Sequence, residues 1–294
     1  MKIQQKMNTP NWQLWKCRCS SISKILTNAS ESKPITEIQL KRLKELDEKP
    51  VRTEKQSIEL TELILKRENS SKIVLGDVAI GYLMEVYAWE TVKKCSVTKE
   101  LTVDFIQKGK MGELEGLELL SYCENHLYEK NTERISNDFL SGEPDTFKGR
   151  SVKDADVVPD IKIIWDYPGF LKKIDQPADR DYRFQLAGYA DISGAKEVFV
   201  ANCLIDTPEL IRNDYKRKLF YKGEYTSEES PQFLAAWEPI ERSMIFKDIP
   251  ILRRFNKVPV PLFTDYERNQ VYDRVKYCRE WLNNFHESYL KLNQ

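Results

Sequence analysis

Four side chains in the middle of the chain, Glu113, Asp145, Asp160 and Lys162, are of the types that hold a hard cation beside a phosphate. Gly142-Glu143-Pro144-Asp145 closes one expected strand, and Asp160-Ile161-Lys162 follows in the next, with Asp160 fifteen positions after Asp145. Strand side chains alternate, so Asp160 and Lys162 share a face while Ile161 points into the opposite, buried layer. A hairpin of the two strands would bring both aspartates together. Carboxylates converging in this way bind a cation through oxygen, and the lysine can steady a water and a phosphate oxygen.

A third carboxylate comes from Gly109-Lys110-Met111-Gly112-Glu113-Leu114-Glu115-Gly116-Leu117, read as the start of a helix running through Glu118-Leu119-Leu120. At about 100° per residue Glu113 falls between Leu117 and Leu120, on the apolar face with Leu114. An acid aimed at the core is costly unless it is paired or binds a metal. Gly109 shares that face, where close approach of backbone or substrate is expected. Glu115 and Glu118 fall on another side as surface acids. Further along, Tyr182, Gln185 and Tyr189 are spaced i, i+3 and i+7, a stripe in which Gln185 would orient water or phosphate.

The elements that must position these groups follow from periodicity and capping. Residues 36 to 48 carry a Thr36-x-x-Gln39 capping box and apolar Ile38, Leu43 and Leu46. Residues 54 to 67 repeat the pattern with Ile58, Leu60, Ile64 and Leu65, and 77 to 93 give a third, more buried helix. Between about 132 and 163 Gly and Pro punctuate short strands. A helix near 181 to 193, a strand at 197 to 205 and a helix opening at Asp206-Thr207-Pro208-Glu209 complete the middle, with Pro208 in the first turn and Asp206 or Thr207 as cap. Val271, Val275, Cys278, Trp281, Leu282, Phe285 and Tyr289 mark a long amphipathic helix over 264 to 291. This order argues for an α/β core. The expected organisation is one domain over 1–294: a helical part to residue 100, an α/β core over 101–210 and a helical C-terminal extension over 211–294.

Composition narrows the function classes. Lys plus Arg and Asp plus Glu each number 46 in 294 residues, so no global field draws the chain to nucleic acid and any such contact must use local patches. Lys216-Arg217-Lys218, Arg253-Arg254 and the Lys41-Arg42-Lys44 group are the candidates. The six cysteines are scattered without a CxxC pair, which argues against structural zinc or an iron–sulfur cluster and for reduced thiols. Two histidines, His126 and His286, leave no basis for a His-centred site, so carboxylates must do any catalysis. No apolar run reaches membrane-span length, and Met1-Lys2-Ile3-Gln4-Gln5-Lys6 lacks a signal-peptide core. A cytoplasmic protein without membrane contact is expected.

Five pieces in order resemble the PD-(D/E)xK nuclease superfamily, and within it the phage-type exonucleases of the lambda exonuclease and YqaJ-type viral recombinase group. They are Gly109-x-x-x-Glu113, Gly142-Glu-Pro-Asp145, Asp160-Ile-Lys162 with Trp165-Asp166, Gln185-Leu-x-Gly-Tyr189, and Leu204-Ile-Asp-Thr-Pro-Glu209. The resemblance implies a restriction-endonuclease-like mixed β-sheet flanked by helices and phosphodiester hydrolysis with Mg²⁺ or Mn²⁺. It implies Glu113, Asp145, Asp160 and the Ile161 carbonyl as metal ligands, Lys162 activating the attacking water, and Gln185 in the catalytic set. DNA or phosphate contacts are implied at Tyr189 and in the Arg18-Cys-Ser-Ser21 segment, at Arg18, Ser20, Ser21 and Lys24, where a helix start offers backbone donors. A single-strand annealing protein and a homo-oligomer are the implied partners besides DNA. Ile163-Ile164 and Ala187 depart from the family pattern, replacing small hydroxyl residues and a second glutamine. The alternatives are a restriction-like or repair endonuclease, and a catalytically silent binding module on the same fold.

Overall fold

The computed structural model describes residues 9–28, 35–69, 74–94 and 104–292; Met1 to Lys6 and Cys95 lie outside them. In chain order the elements are β1 (Cys17–Arg18), α1 (Ile22–Ile25), α2 (Glu37–Asp47), α3 (Glu54–Asn69), α4 (Asp77–Val92), α5 (Asp104–Met111), α6 (Glu113–Cys123), β2 (Ile135–Ser136), β3 (Leu140–Gly142), β4 (Lys148–Ser151) and β5 (Asp154–Ile163). Then come α7 (Tyr167–Leu171), α8 (Arg180–Ser193), β6 (Glu197–Cys203), α9 (Glu209–Lys222), α10 (Pro231–Arg242), β7 (Phe255–Pro259) and α11 (Asp265–Lys291). Two compact units emerge, one of residues 1–17, 21–97 and 265–294, the other of 18–20 and 98–264.

The first unit is helical. The capping box of α2 forms as expected, with the Thr36 hydroxyl accepting from Gln39 N and the Gln39 side chain accepting from Thr36 N. Leu43 and Leu46 of α2 pack with Leu63 of α3, whereas Ile38, Ile58 and Leu65, expected on the buried faces, are exposed. The contact between α2 and α3 covers a narrower stripe than the sequence pattern offers. In α11 the buried residues are Val271, Arg274, Val275, Cys278, Leu282 and His286. No described helix is long and apolar enough to cross a membrane.

The second unit is a mixed α/β layer. Its four-stranded sheet has the order β4-β5-β6-β7, with β5 and β6 parallel and the outer pairings antiparallel. β2 and β3 pair antiparallel within a second, three-stranded sheet. Parallel β5 and β6 need a crossover, which α7 and α8 supply. The faces of β5 are divided by alternation. Ile161 and Ile163 face α6, where Gly116 leaves room for them, and Ile161 joins a core with Leu120, Phe199 and Cys203. Asp160 and Lys162 take the other face, toward α8.

Two expectations are corrected. Residues 211–294 are not wholly helical, because β7 adds a fourth strand to the sheet, pairing Val258 with Val200 and Asn256 with Asn202. Pro208 is the N-cap of α9 and not a first-turn residue, while Asp206 accepts a hydrogen bond from Phe246 N at 2.7 Å.

Candidate active site

β5 is the spine of the site. β4 pairs with it only over Asp154 to Val157, through a bulge at Gly149, whose φ of 150° is open to glycine and whose Cβ would lie 2.6 Å from the Asp154 carbonyl. From Val158 onward β5 is no longer paired with β4, and Asp160 and Lys162 belong to that stretch.

Asp145 comes from the segment between β3 and β4, not from a strand paired with β5, so the hairpin expected to join the two aspartates is replaced by a different clamp. Asn131 N donates to the Asp145 carbonyl at 2.7 Å, and its side-chain amide donates to the Pro144 carbonyl at 2.8 Å. The Thr146 hydroxyl donates to the Glu129 carbonyl at 2.6 Å. Asn131 and Thr146 are both buried, so these bonds replace lost water and fix residues 129–131 against 144–146.

That clamp delivers Lys130, which the sequence reading missed, to the carboxylates. Its ammonium lies 2.9 Å from the Glu113 carboxylate, and Lys130, Glu113, Asp145 and Ile161 line a cavity of about 180 Å³ with Lys110, Met111, Leu114 and Leu117. The expected continuous helix here is two: α5 ends at Met111 and α6 begins at Glu113, with Gly112 between. Glu113 is therefore a first-turn acid, half-exposed, and Leu114 is 66% exposed, so neither points into the core. No described protein atom makes a close approach at Gly109. A Cβ there would meet open space, whereas one on Gly112 would lie 2.1 Å from Ile205 Cδ1.

Asp160 is 2% exposed and sits at the centre. Its Oδ2 lies 2.7 Å from the Lys162 ammonium, an ion pair without the geometry of a directed hydrogen bond, and its Oδ1 accepts from Gln185 Nε2 at 3.3 Å. Lys162 also lies 4.5 Å from the Tyr182 ring centroid. Gln185 Nε2 reaches the Tyr189 hydroxyl, which in turn donates to the Glu143 carbonyl, each at 3.3 Å. Tyr189 is buried, and its hydroxyl ties α8 to the end of β3. The helix stripe of Tyr182, Gln185 and Tyr189 thus braces the β5 carboxylate and lysine.

The charges are mutually coupled. Burial, then the neighbouring Asp160 carboxylate, pushes the Asp145 carboxyl up to about 6, against opposing pulls from Lys162 and Lys130. Burial also raises Asp160, with Lys162 opposing. For Lys162 burial favours the neutral amine, but the Asp160 charge and contact outweigh it and its pKa is raised. Among the described residues no three His, Cys, Asp or Glu side chains stand close enough to close around an ion. The two lysines hold the carboxylates instead. The donor set nevertheless suits a hard cation, being all oxygen, with three carboxylates, Glu113, Asp145 and Asp160, against the two ammoniums of Lys162 and Lys130, and Asp160 Oδ2 is a buried oxygen with no directed hydrogen bond.

Of the anticipated phosphate contacts, Arg18, Ser20 and Lys24 are exposed and Ser21 is buried. The helix that follows is a single turn with no side-chain cap, and the Lys24 ammonium lies 5.6 Å from the Tyr82 ring centroid. Several basic runs are already paired. Lys216 meets Glu228, Arg217 and Lys218 both meet Asp214, and Arg42 meets Glu59.

A solved structure, that of a phage-related exonuclease from Haemophilus somnus 129PT, superposes on 94% of this chain and 96% of its own, with a TM-score of 0.56 at 18% sequence identity. The chain has the fold of that exonuclease. An alkaline exonuclease from Laribacter hongkongensis is also similar, covering 97% of each chain at 12% identity with a TM-score of 0.49. No protein-family model and no curated protein matches the sequence.

Proposed function

We propose that the chain is a Mg²⁺- or Mn²⁺-dependent deoxyribonuclease of the PD-(D/E)xK type, an exonuclease acting on duplex DNA ends in phage-type recombination. The observation that supports this best is the gathering of Asp145, Asp160, Lys162 and Glu113 around the stretch of β5 beyond its pairing with β4, in a chain with an exonuclease-like fold. Asp145, Asp160, Glu113 and the Ile161 carbonyl would hold a divalent cation, which would supply charge neutralisation at the scissile phosphate and a more acidic water.

The protein's own groups have defined tasks in this reading. Lys162 donates hydrogen bonds to the attacking water and a phosphate oxygen once its pairing with Asp160 is relaxed by substrate. Gln185, held by Tyr189, keeps the Asp160 carboxylate oriented. Lys130 and Lys110 place positive charge at the mouth of the cavity, where a DNA phosphate enters. The DNA-end contacts proposed at Arg18, Ser20, Ser21 and Lys24 add a 5′-phosphate site, and the single-strand annealing partner and the homo-oligomer follow from the recombination role.

Incubation of the purified protein with end-labelled linear and closed circular duplex DNA, in Mg²⁺ and in EDTA, tests this. Loss of the linear form alone, and only in Mg²⁺, is expected. Cutting of the circle would make the protein an endonuclease, and survival of both forms would remove the enzymatic reading.

A further inference from the structure

Where β5 leaves the sheet, a second cavity of about 560 Å³ opens, lined by Trp165, Tyr167, Thr207, Tyr215, Arg242 and Phe246 among others. Its volume is in the range of small-molecule sites. The aromatic wall is fixed in advance. The Trp165 carbonyl accepts from the Lys108 ammonium at 2.8 Å, and that ammonium, on a side chain only 1% exposed, lies 5.7 Å from the Trp165 ring centroid and 5.0 Å from that of Phe246. Tyr215 stands 6.4 Å from Trp165, tilted by 43°, and Tyr167 is 39% exposed at the rim.

Ser243 and Tyr215 of this wall are already hydrogen-bonded, to the Ile240 carbonyl and to Asp104, but the side chains of Thr207 and Arg242 are uncommitted. Thr207 is 2% exposed, and its hydroxyl makes no hydrogen bond among the described residues. Arg242, in the last turn of α10, makes no ion pair among the described residues, although Arg212, Lys216, Arg217 and Lys218 on α9 all do. Of the acids lining the cavity, Asp166 is occupied in capping α7 through Gly169 N at 2.7 Å, and Asp248 is exposed.

We propose that this cavity is a nucleotide subsite, in which the aromatic wall stacks a base, Arg242 binds its phosphate and the Thr207 hydroxyl takes a hydrogen bond from base or sugar. Rings at which a base can stack, a free guanidinium and a buried free hydroxyl are together the chemistry of a nucleoside phosphate. The proposal rests on the nuclease reading for its link to catalysis. Trp165 follows Lys162 by three residues, at most about 11 Å of extended chain, so a strand cut at β5 would have a neighbouring nucleotide in reach of the cavity.

Calorimetric titration of the full chain in EDTA with deoxyadenosine monophosphate, with a single-stranded tetranucleotide and with inorganic phosphate tests it. The wild type should bind a nucleotide probe more tightly than phosphate. Tyr167→Ala and Arg242→Gln, both at exposed positions, should each weaken that binding about tenfold. Binding of both nucleotide probes would give a subsite that also takes released mononucleotide; binding of the tetranucleotide alone would give one for the strand. Equal affinity for phosphate, no nucleotide binding, or binding insensitive to both rim variants would overturn the proposal. Cleavage without nucleotide binding would discard the subsite alone, and binding without cleavage would discard the nuclease reading alone.

Discussion

Asp145 holds its proton to about pH 6 because it is buried beside Asp160, and the sign of that shift fixes what the residue does to stability. A carboxyl whose folded pKa lies above its unfolded value near 3.8 binds more protons in the folded state between those two values, so folding becomes less favourable as pH rises through that window. Asp145→Asn should therefore stabilise the cation-free protein at pH 7 by up to about 3 kcal/mol and have almost no effect near pH 3.5. Thermal unfolding in EDTA at the two pH values measures this, and equal shifts at both would contradict it. At this scale the sequence was informative where strand alternation decides the face: Asp160 and Lys162 share one and Ile161 the other. It was silent on Lys130, because a lone exposed lysine has no periodicity, and only the tertiary clamp of Asn131 and Thr146 brings it to Glu113.

Among the elements, α8 is the brace of the site, and it packs closely against β3. A Cβ on Gly142 would lie 2.4 Å from Tyr189 Cε1 and 3.1 Å from Cys19 Sγ. A buried ring cannot swing aside as a flexible chain end can, so Gly142→Ala should cost about 1–3 kcal/mol. Displacing Tyr189 also loosens Gln185 and Asp160, so cleavage should fall further than the loss of folded protein accounts for. A denaturant titration beside a cleavage rate separates the two effects, and a rate reduced only in proportion to unfolding would refute the brace. The stripe of Tyr182, Gln185 and Tyr189 was legible from its spacing. The break at Gly112 was not, since Gly109 and Gly112 look alike in sequence and only the packing of Ile205 tells them apart. The same limit explains Glu113, whose inward helical angle holds only for a continuous helix, whereas α6 starts at that residue.

For the molecule as a whole, zero net charge means that any attraction to DNA must be local. Because Lys216, Arg217 and Lys218 are spent on Asp214 and Glu228, changing all three to Gln should leave the slope of log K against log salt almost unchanged. Lys110→Gln with Lys130→Gln, at the cavity mouth, should reduce that slope by about 2. Equal effects would show that the intramolecular pairs open on DNA. The α/β class, the long C-terminal helix and most helix positions could be read from hydrophobic period and capping. β7 could not, since a short edge strand after a long helical stretch leaves no signal until it pairs with β6. The central claim is that Lys162, paired with Asp160 on β5, activates hydrolysis. Its most direct test is the single-turnover cleavage rate of linear duplex DNA in Mg²⁺ by the wild type and by Lys162→Ala. A fall of roughly 10²- to 10³-fold, with DNA affinity and fold retained, is the predicted result, whereas a variant that cleaves at the wild-type rate would contradict the account.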